Sequence, residues 1–412
     1  MNYNTATLSN GLRVIHLHVP GQQVIYCGFA IAAGTRHELP GEEGLAHFVE
    51  HTTFKGTTKR CSIQILNCLE NIGGDLNAFT TKEHTIYYAT VLRDHFGRAA
   101  TLLCDIVFNS IYPQTELDKE KEVICEEIES YNDTPSELIF DEFENHLFTN
   151  HPLGHNILGT NEQLRTYTTA DALRFAHRHY RPDNSIFFAY GDINFTSLIK
   201  KLETNTSDLR PQTSALKPQT SALKPQTSAP KPQPSAQSPS YHQAHVMLGT
   251  KTFGADHPQR IPLFLLNNIL GGPGMNARLN IALRERRGLV YTVESNMTTY
   301  TDIGTWAIYF GCDHKDVKRC LQLVRRELDH IMEKPLTERQ LTVAKQQLKG
   351  QLAIAADNRE QLALDIAKTY LHEHREHHLS DLFERINDVT ATQIHQLAQE
   401  LFATDRLQTL VL

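Results

Sequence analysis

An α+β chain of two comparable domains is what this sequence predicts, and three observations predict it. Its 412 residues exceed the usual single-domain size of roughly 100–200 residues. A low-complexity tract interrupts the chain near its middle, and each flank mixes period-two alternations with helical periodicities. The tract opens with Pro211-Gln-Thr-Ser-Ala-Leu-Lys217, recurs at Pro218 to Lys224, then decays through Pro225 to Lys231 and on to Ser240. So regular a proline spacing forbids a helical heptad, and one leucine per repeat cannot build a core. A polyproline-like or unstructured tether is therefore expected over 204–240, between domains at 1–203 and 241–412.

In the first domain, Asn10-Gly11 sits between apolar alternations, a hairpin signal, and Val24 to Ala32 reads as the next strand. Helices are expected over 42–56 and 62–72, the second opened by Ser62 and closed by Gly73-Gly74. Strand patterns follow at Asp75 to Thr81 and Thr85 to Leu92, then helices near 96–110 and 115–130. The second domain repeats this logic, with strands at Ala244 to Leu248, Val290 to Met297 and Thr305 to Phe310. Its helices are expected at Ile261 to Leu270 and near 314–333, 337–356, 358–373 and 391–402. The similar order points to duplication of one domain, although no close self-similarity is visible.

Composition removes several function classes. With 40 basic and 47 acidic residues, the formal charge of -7 offers no general attraction for nucleic acid or anionic membrane. No apolar run approaches the roughly 18–20 residues that span a bilayer. The amino terminus, Met-Asn-Tyr-Asn-Thr-Ala-Thr-Leu, has neither a basic flank with an apolar core nor an Arg-rich presequence, so a cytoplasmic location is the simplest expectation. The 7 cysteines form an odd, scattered set without a C-x-x-C pair, against both a disulfide framework and a cysteine-rich metal site.

The chemistry concentrates in Gly44-Leu-Ala-His47-Phe-Val-Glu50-His51. On a helix, His47 and His51 lie one turn apart with β-carbons about 6 Å from each other, a spacing that suits two imidazoles on one ion. Glu50 stands beside them, while Leu45, Phe48 and Val49 take the opposite side. Two histidines four apart can also be an ordinary solvated face, but the interleaved glutamate and the apolar reverse favour a metal site. A third ligand is then needed. At 100° per residue, Glu120, Val123, Ile124, Glu127 and Ile128 share one stripe of the helix near 115–130, with Glu122, Glu126 and Glu129 on the other side. A carboxylate facing a core is costly unless paired or coordinated, so Glu120 and Glu127 are the candidates.

His47-x-x-Glu50-His51, followed after 75 intervening residues by Glu127, resembles the inverted zinc signature of the pitrilysin and insulinase superfamily of metallopeptidases. Within it, the chain resembles the mitochondrial-processing-peptidase type and its bacterial relatives. Supporting segments are Thr7-Leu-Ser-Asn-Gly-Leu-Arg-Val14, Phe54-Lys-Gly-Thr57, Leu76-Asn-Ala-Phe-Thr80, Pro152-Leu-Gly154 with Leu158-Gly159, and Tyr180-Arg-Pro-Asp-Asn184. The resemblance implies two related α/β sandwich-like domains, each an antiparallel-rich sheet packed with helices. It implies one Zn2+ per chain on His47, His51 and Glu127, with Glu50 as general base on a zinc-bound water and Glu120 supporting the ligands. It also implies that the strand through Asn77, Ala78, Phe79 and Thr80 is an edge to which peptide or unfolded polypeptide adds as a further strand.

In the second domain, Leu283-Arg284-Glu-Arg-Arg-Gly-Leu-Val-Tyr291 is similar to the family's arginine and tyrosine pair that contacts substrate near the scissile bond. Because such pairs face the zinc of the opposite half in assemblies of half-sized chains, the resemblance implies a homodimer with Arg284 and Tyr291 acting in trans. Gly271-Gly-Pro-Gly-Met275 lacks the phosphate-loop pattern and resembles a shortened form of the processing peptidase's glycine-rich substrate loop. Asn267-Asn268 stands where a second zinc motif would fall. His372, His374, His377 and His378 form a rival metal cluster, read instead as a solvated helix face. The expected activity is zinc endopeptidase or oligopeptidase, and the competing reading is a non-catalytic scaffold subunit of the same superfamily.

Overall fold

The computed structural model describes residues 2–209 and 242–412. The expected tether therefore lies, from residue 210 on, outside the described residues. The first half contains β1 (Asn2–Thr7), β2 (Arg13–His18), β3 (Val24–Ile31), α1 (Leu45–Thr53), α2 (Ser62–Glu70), β4 (Asp75–Thr80) and β5 (Thr85–Leu92). It continues through α3 (Phe96–Asn109), α4 (Gln114–Asn132), α5 (Pro135–Leu147), α6 (Asn161–Leu164), α7 (Thr169–His179), β6 (Ser185–Gly191) and α8 (Phe195–Thr206). The second half contains β7 (Ala244–Phe253), α9 (Arg260–Gly271), β8 (Val290–Thr299), β9 (Ile303–Cys312), α10 (Val317–Glu333) and α11 (Glu338–Ala355). It ends with α12 (Arg359–His372), α13 (Leu379–Asp388), α14 (Ala391–Leu401) and β10 (Gln408–Val411).

The strands expected from the sequence are present with ends shifted by a few residues. Asn10-Gly11 does join a hairpin: β1 and β2 pair antiparallel, and Gly11 turns the chain at φ 89°. The first sheet runs β1-β2-β6-β3-β5-β4, antiparallel except for β2 beside β6, and β4 forms one edge. The second runs β10-β7-β9-β8. Helices α5, α6, α7, α8 and α13 and strand β10 were not anticipated. The first domain also continues beyond residue 203: α8 reaches Thr206, whose carbonyl and hydroxyl accept hydrogen bonds from the Asn10 side chain at 3.2 and 2.9 Å.

Alternation along the strands sends successive side chains to opposite faces, and in the first sheet both faces are buried. Val14, Ile25, Cys27 and Phe29 meet helices of their own half, including Phe48 and Val49 of α1. Ile15, Leu17, Ile186 and Phe188 point the other way and pack on Leu362, Ala363, Ile366 and Ala367 of α12, a helix of the second half. The exchange is mutual. Ile139, Phe143 and Leu147 of α5, spaced by one helical turn, pack on Met247, Ala307 and Tyr309 of the second sheet. That sheet's other face, with Val246, Trp306, Ile308 and Phe310, holds the second core. All 7 cysteines are free thiols, five of them buried. Among the described residues no helix is long and apolar enough to cross a membrane.

Candidate metal centre

Helix α1 carries the site because its two faces divide the labour. Leu45, Phe48 and Val49 are fully buried against the sheet and fix the helix. Its amino-terminal amides are met by Glu38, whose carboxylate accepts from Gly44 N at 3.0 Å and Ala46 N at 2.7 Å, as favours a helix start. Gly44 itself adopts φ 86°, and a β-carbon there would lie 2.7 Å from the Leu158 carbonyl oxygen and 2.8 Å from Gly159 Cα. The back-to-back contact of Gly44 and Gly159 thus sets where the helix begins.

On the other face the His47 and His51 rings stand 4.5 Å apart between centroids. Helix α4 brings Glu127 to them, with Oε1 3.9 Å from His47 Nε2 and Oε2 3.6 Å from His51 Nε2. One ligand atom from each of the three lies within 4.8 Å of the others, the reach of a single ion. Residue 127 is less enclosed than its helical position predicts: its side chain remains 44% exposed, and its neighbour Val123 is 51% exposed. The buried stripe of α4 runs instead through Leu117, Glu120, Ile124, Cys125 and Ile128. Glu127 sits at the margin of that stripe, where it faces the imidazoles and leaves the centre open on one side.

Glu120 occupies the buried position. Its Oε1 lies 3.0 Å from His51 Nδ1 and its Oε2 2.6 Å from Lys55 Nζ. Burial opposes the charged form of Glu120, but the hydrogen bonds from His51 and Lys55 outweigh it and lower its pKa. Burial likewise opposes protonation of His51, and the Glu120 hydrogen bond with the nearby Glu50 and Glu127 charges reverses the balance, raising its pKa. At His47 burial prevails, reinforced by His51, and the pKa drops to about 3, leaving the neutral imidazole a metal requires. Burial pushes the Glu50 carboxyl above its ordinary range against a hydrogen bond from Thr80. His47 Nδ1 and Glu50 Oε2 are buried with no hydrogen-bond partner among the described residues. The orphaned Glu50 oxygen beside three convergent donors fits a site built for an ion and a water; the ion would take His47 Nε2, the nitrogen nearest Glu127, which leaves the unpaired Nδ1 without an account. A His, His, carboxylate set with an open side fits zinc in a catalytic setting.

A family profile described as Insulinase (Peptidase family M16) matches residues 13–161, and one described as Peptidase M16 inactive domain matches residues 166–348. A Bacillus subtilis (strain 168) protein named as an uncharacterized zinc protease is 32% identical over 405 residues, covering 98% of this chain and 97% of its own length. The chain belongs to the M16 peptidase family. A Streptomyces coelicolor relative, also named as an uncharacterized zinc protease, is 31% identical over 96% of this chain and 86% of its own. The M16 fold is shared with the crystal structure of a Helicobacter pylori protease, at TM-score 0.89 and 20% identity over 100% of this chain and 99% of that one. A Pseudomonas fluorescens M16 inactive-domain structure superposes at TM-score 0.86, also at 20% identity.

Beside the centre of this M16 chain, β4 is an edge strand pairing only with β5 on its inner side, with Asn77 opposite Tyr88, Ala78 opposite Tyr87, Phe79 opposite Ile86 and Thr80 opposite Thr85. Asn77 is thus a strand residue and not part of a turn. Arg284 and Tyr291 meet each other in the second domain, the guanidinium 5.7 Å over the phenol ring. They line a cavity of ≈ 550 Å³ with the Gly271–Met275 loop, and Tyr291 is 81% exposed. Neither makes a hydrogen bond or ion pair with the His47, His51 and Glu127 cluster among the described residues. Asn267, at the position matching the zinc helix, accepts the Trp306 indole N–H at 3.0 Å, a structural role. The rival histidines do not form one helix face, because α12 ends at His372. They have separate partners: His84 for His372, Arg13 for His374, Thr369 for His377 and Glu376 for His378.

Two contributors escaped the sequence reading. Lys55 falls inside the helix expected over 42–56, one turn past His51, but that spacing was not read as a signal; the structure ends α1 at Thr53 and brings Lys55 to Glu120. Glu38 acts across a loop on backbone amides, a contact without any residue-type signal.

Proposed function

We propose that this chain is a zinc-dependent endopeptidase or oligopeptidase acting on short or unfolded polypeptides. The carrying observation is the convergence of His47, His51 and Glu127 around a buried, unpartnered Glu50 oxygen, next to an open sheet edge. Zinc held there would supply Lewis acidity to the scissile carbonyl and to a water. Glu50, kept easily protonated by its burial, takes the proton of the attacking water and returns it to the leaving amine nitrogen. Substrate lies as an added strand on Asn77 to Thr80, its backbone read by the free groups of β4. Arg284 and Tyr291, cationic and phenolic donors, suit the carbonyls of a peptide held at the centre of a second copy, and the high exposure of Tyr291 supports a homodimer. One such ligand set is found among the described residues, which supports one zinc per chain.

The scaffold reading draws on the inactive-domain match, yet that match begins at residue 166, beyond all three ligands. The purified chain is tested for bound zinc and for cleavage of a quenched unstructured peptide with and without chelator. Glu50→Gln should keep zinc and lose at least about 100-fold in kcat. Glu127→Ala should lose zinc. Full activity in Glu50→Gln ends the assignment, and a metal-free, inactive wild type restores the scaffold reading.

A further inference from the structure

The turn that leaves the edge strand, Thr81 to His84, is held from outside at every residue. Thr81 and Lys82 offer their carbonyls to Thr35 N at 3.2 Å and Arg36 N at 2.9 Å. This approach is possible because Gly34 has no side chain: a β-carbon there would stand 2.2 Å from the Thr81 carbonyl oxygen. Lys82, 3% exposed, donates to the His155 carbonyl. Glu83 and His84 reach into the second domain. Both oxygens of Glu83 lie 3.1 Å from Thr301 N, and its Oε1 also accepts from Thr301 Oγ1 at 2.6 Å and from Arg36. Arg36 continues to Asp302 through two bonds of 3.0 and 2.9 Å. His84 Nδ1 lies 3.0 Å from His372 Nε2.

Glu83 is 7% exposed, and a carboxylate so enclosed contributes little net stability once its desolvation is counted. What it does supply is geometry. Its donors come from the segment before α1 and from the β8–β9 turn of the other domain. Three residues earlier, Thr80 hydrogen-bonds Glu50 and ends the strand offered to substrate. We infer that Glu83 is a positioning residue for substrate, pinning the end of β4 to Thr301 so that the second domain holds the edge strand in place for backbone pairing with the peptide. This rests on the reading of β4 as the substrate edge.

A shift of that edge weakens backbone pairing in the ground state and transition state alike, so it acts on KM and not on kcat. The full chain carrying Glu83→Gln, and separately Thr301→Ala, is assayed for zinc content, melting temperature, KM and kcat on a quenched unstructured peptide. Glu83→Gln should keep its zinc, raise KM about tenfold and leave kcat within about twofold of wild type. Thr301→Ala, which retains the backbone N–H, should raise KM less. A folded, zinc-loaded Glu83→Gln with wild-type KM, or with kcat alone reduced, overturns the inference. If Glu83→Gln does not fold, Thr301→Ala decides by the same criterion. Failure of the wild type to cleave defeats the peptidase reading and takes this inference with it, whereas an active wild type with an unchanged variant defeats the inference alone.

Discussion

Replacing Glu120 by alanine should weaken zinc binding through two separable effects. The carboxylate is 10% exposed and is shared between His51 Nδ1 at 3.0 Å and Lys55 Nζ at 2.6 Å. Its loss leaves the imidazole without the acceptor that orients it, and leaves an ammonium unneutralised beside a site meant for a dication. Loss of such an outer partner lowers metal affinity by about 10–100-fold, or about 1.4–2.7 kcal/mol. The Lys55 share is isolated by a cycle: Glu120→Ala with Lys55→Ala should recover part of the loss, because the repulsion is gone while the missing acceptor is not. Glu120→Gln keeps an oxygen that can accept from His51 and should lie nearer wild type. Affinities are read by competition of the apo proteins with a chromophoric chelator at fixed pH and ionic strength. Wild-type zinc affinity in Glu120→Ala, alongside a clear loss in His51→Ala, would refute the role assigned to this residue.

Acid should destabilise the fold through buried histidines away from the metal centre. Burial lowers His37 to about 4 and His84 and His179 to about 3, from an ordinary 6.5. The unfolded chain therefore binds more protons between those values and pH 6.5, so stability is complete above 6.5 and falls as pH drops through that window. At pH 5.5 each ring should cost on the order of 1 kcal/mol relative to pH 8, and urea melts at the two pH values that coincide would contradict this. Gly44→Ala combines a left-handed backbone with contacts of 2.7 and 2.8 Å, and should both lower the melting temperature and reduce zinc affinity by displacing the start of α1. A variant melting like wild type with full metal content would show that the loop at Leu158 yields freely.

The zinc helix was legible because everything it needs recurs at one-turn spacing: two imidazoles, a carboxylate between them and an apolar reverse. Glu120 was legible as a carboxylate on a buried stripe. The same reasoning placed Val123 inside, where the structure exposes it, since a helical wheel gives angles and not the width or centre of the contact. The partner of each buried face was not legible at all. Ile139, Phe143 and Leu147 share one helical stripe, but nothing local says that it belongs against Met247 and Tyr309, 100 or more residues onward. Glu83 was silent for the same reason: its donors, Arg36 and Thr301, lie far away on either side in the chain.

The trading of α5 and α12 makes the two halves obligate companions. Expressed by itself, the segment through Leu209 would leave Ile186, Phe188 and their neighbours bare, and the segment from His242 would strand Met247, Ala307 and Tyr309. Each product would be prone to aggregate. Co-produced as two polypeptides, with the join between residues 209 and 242 severed, they retain every described contact needed to reassemble. A break there should therefore leave the packing of α5 and α12 intact once both halves are present.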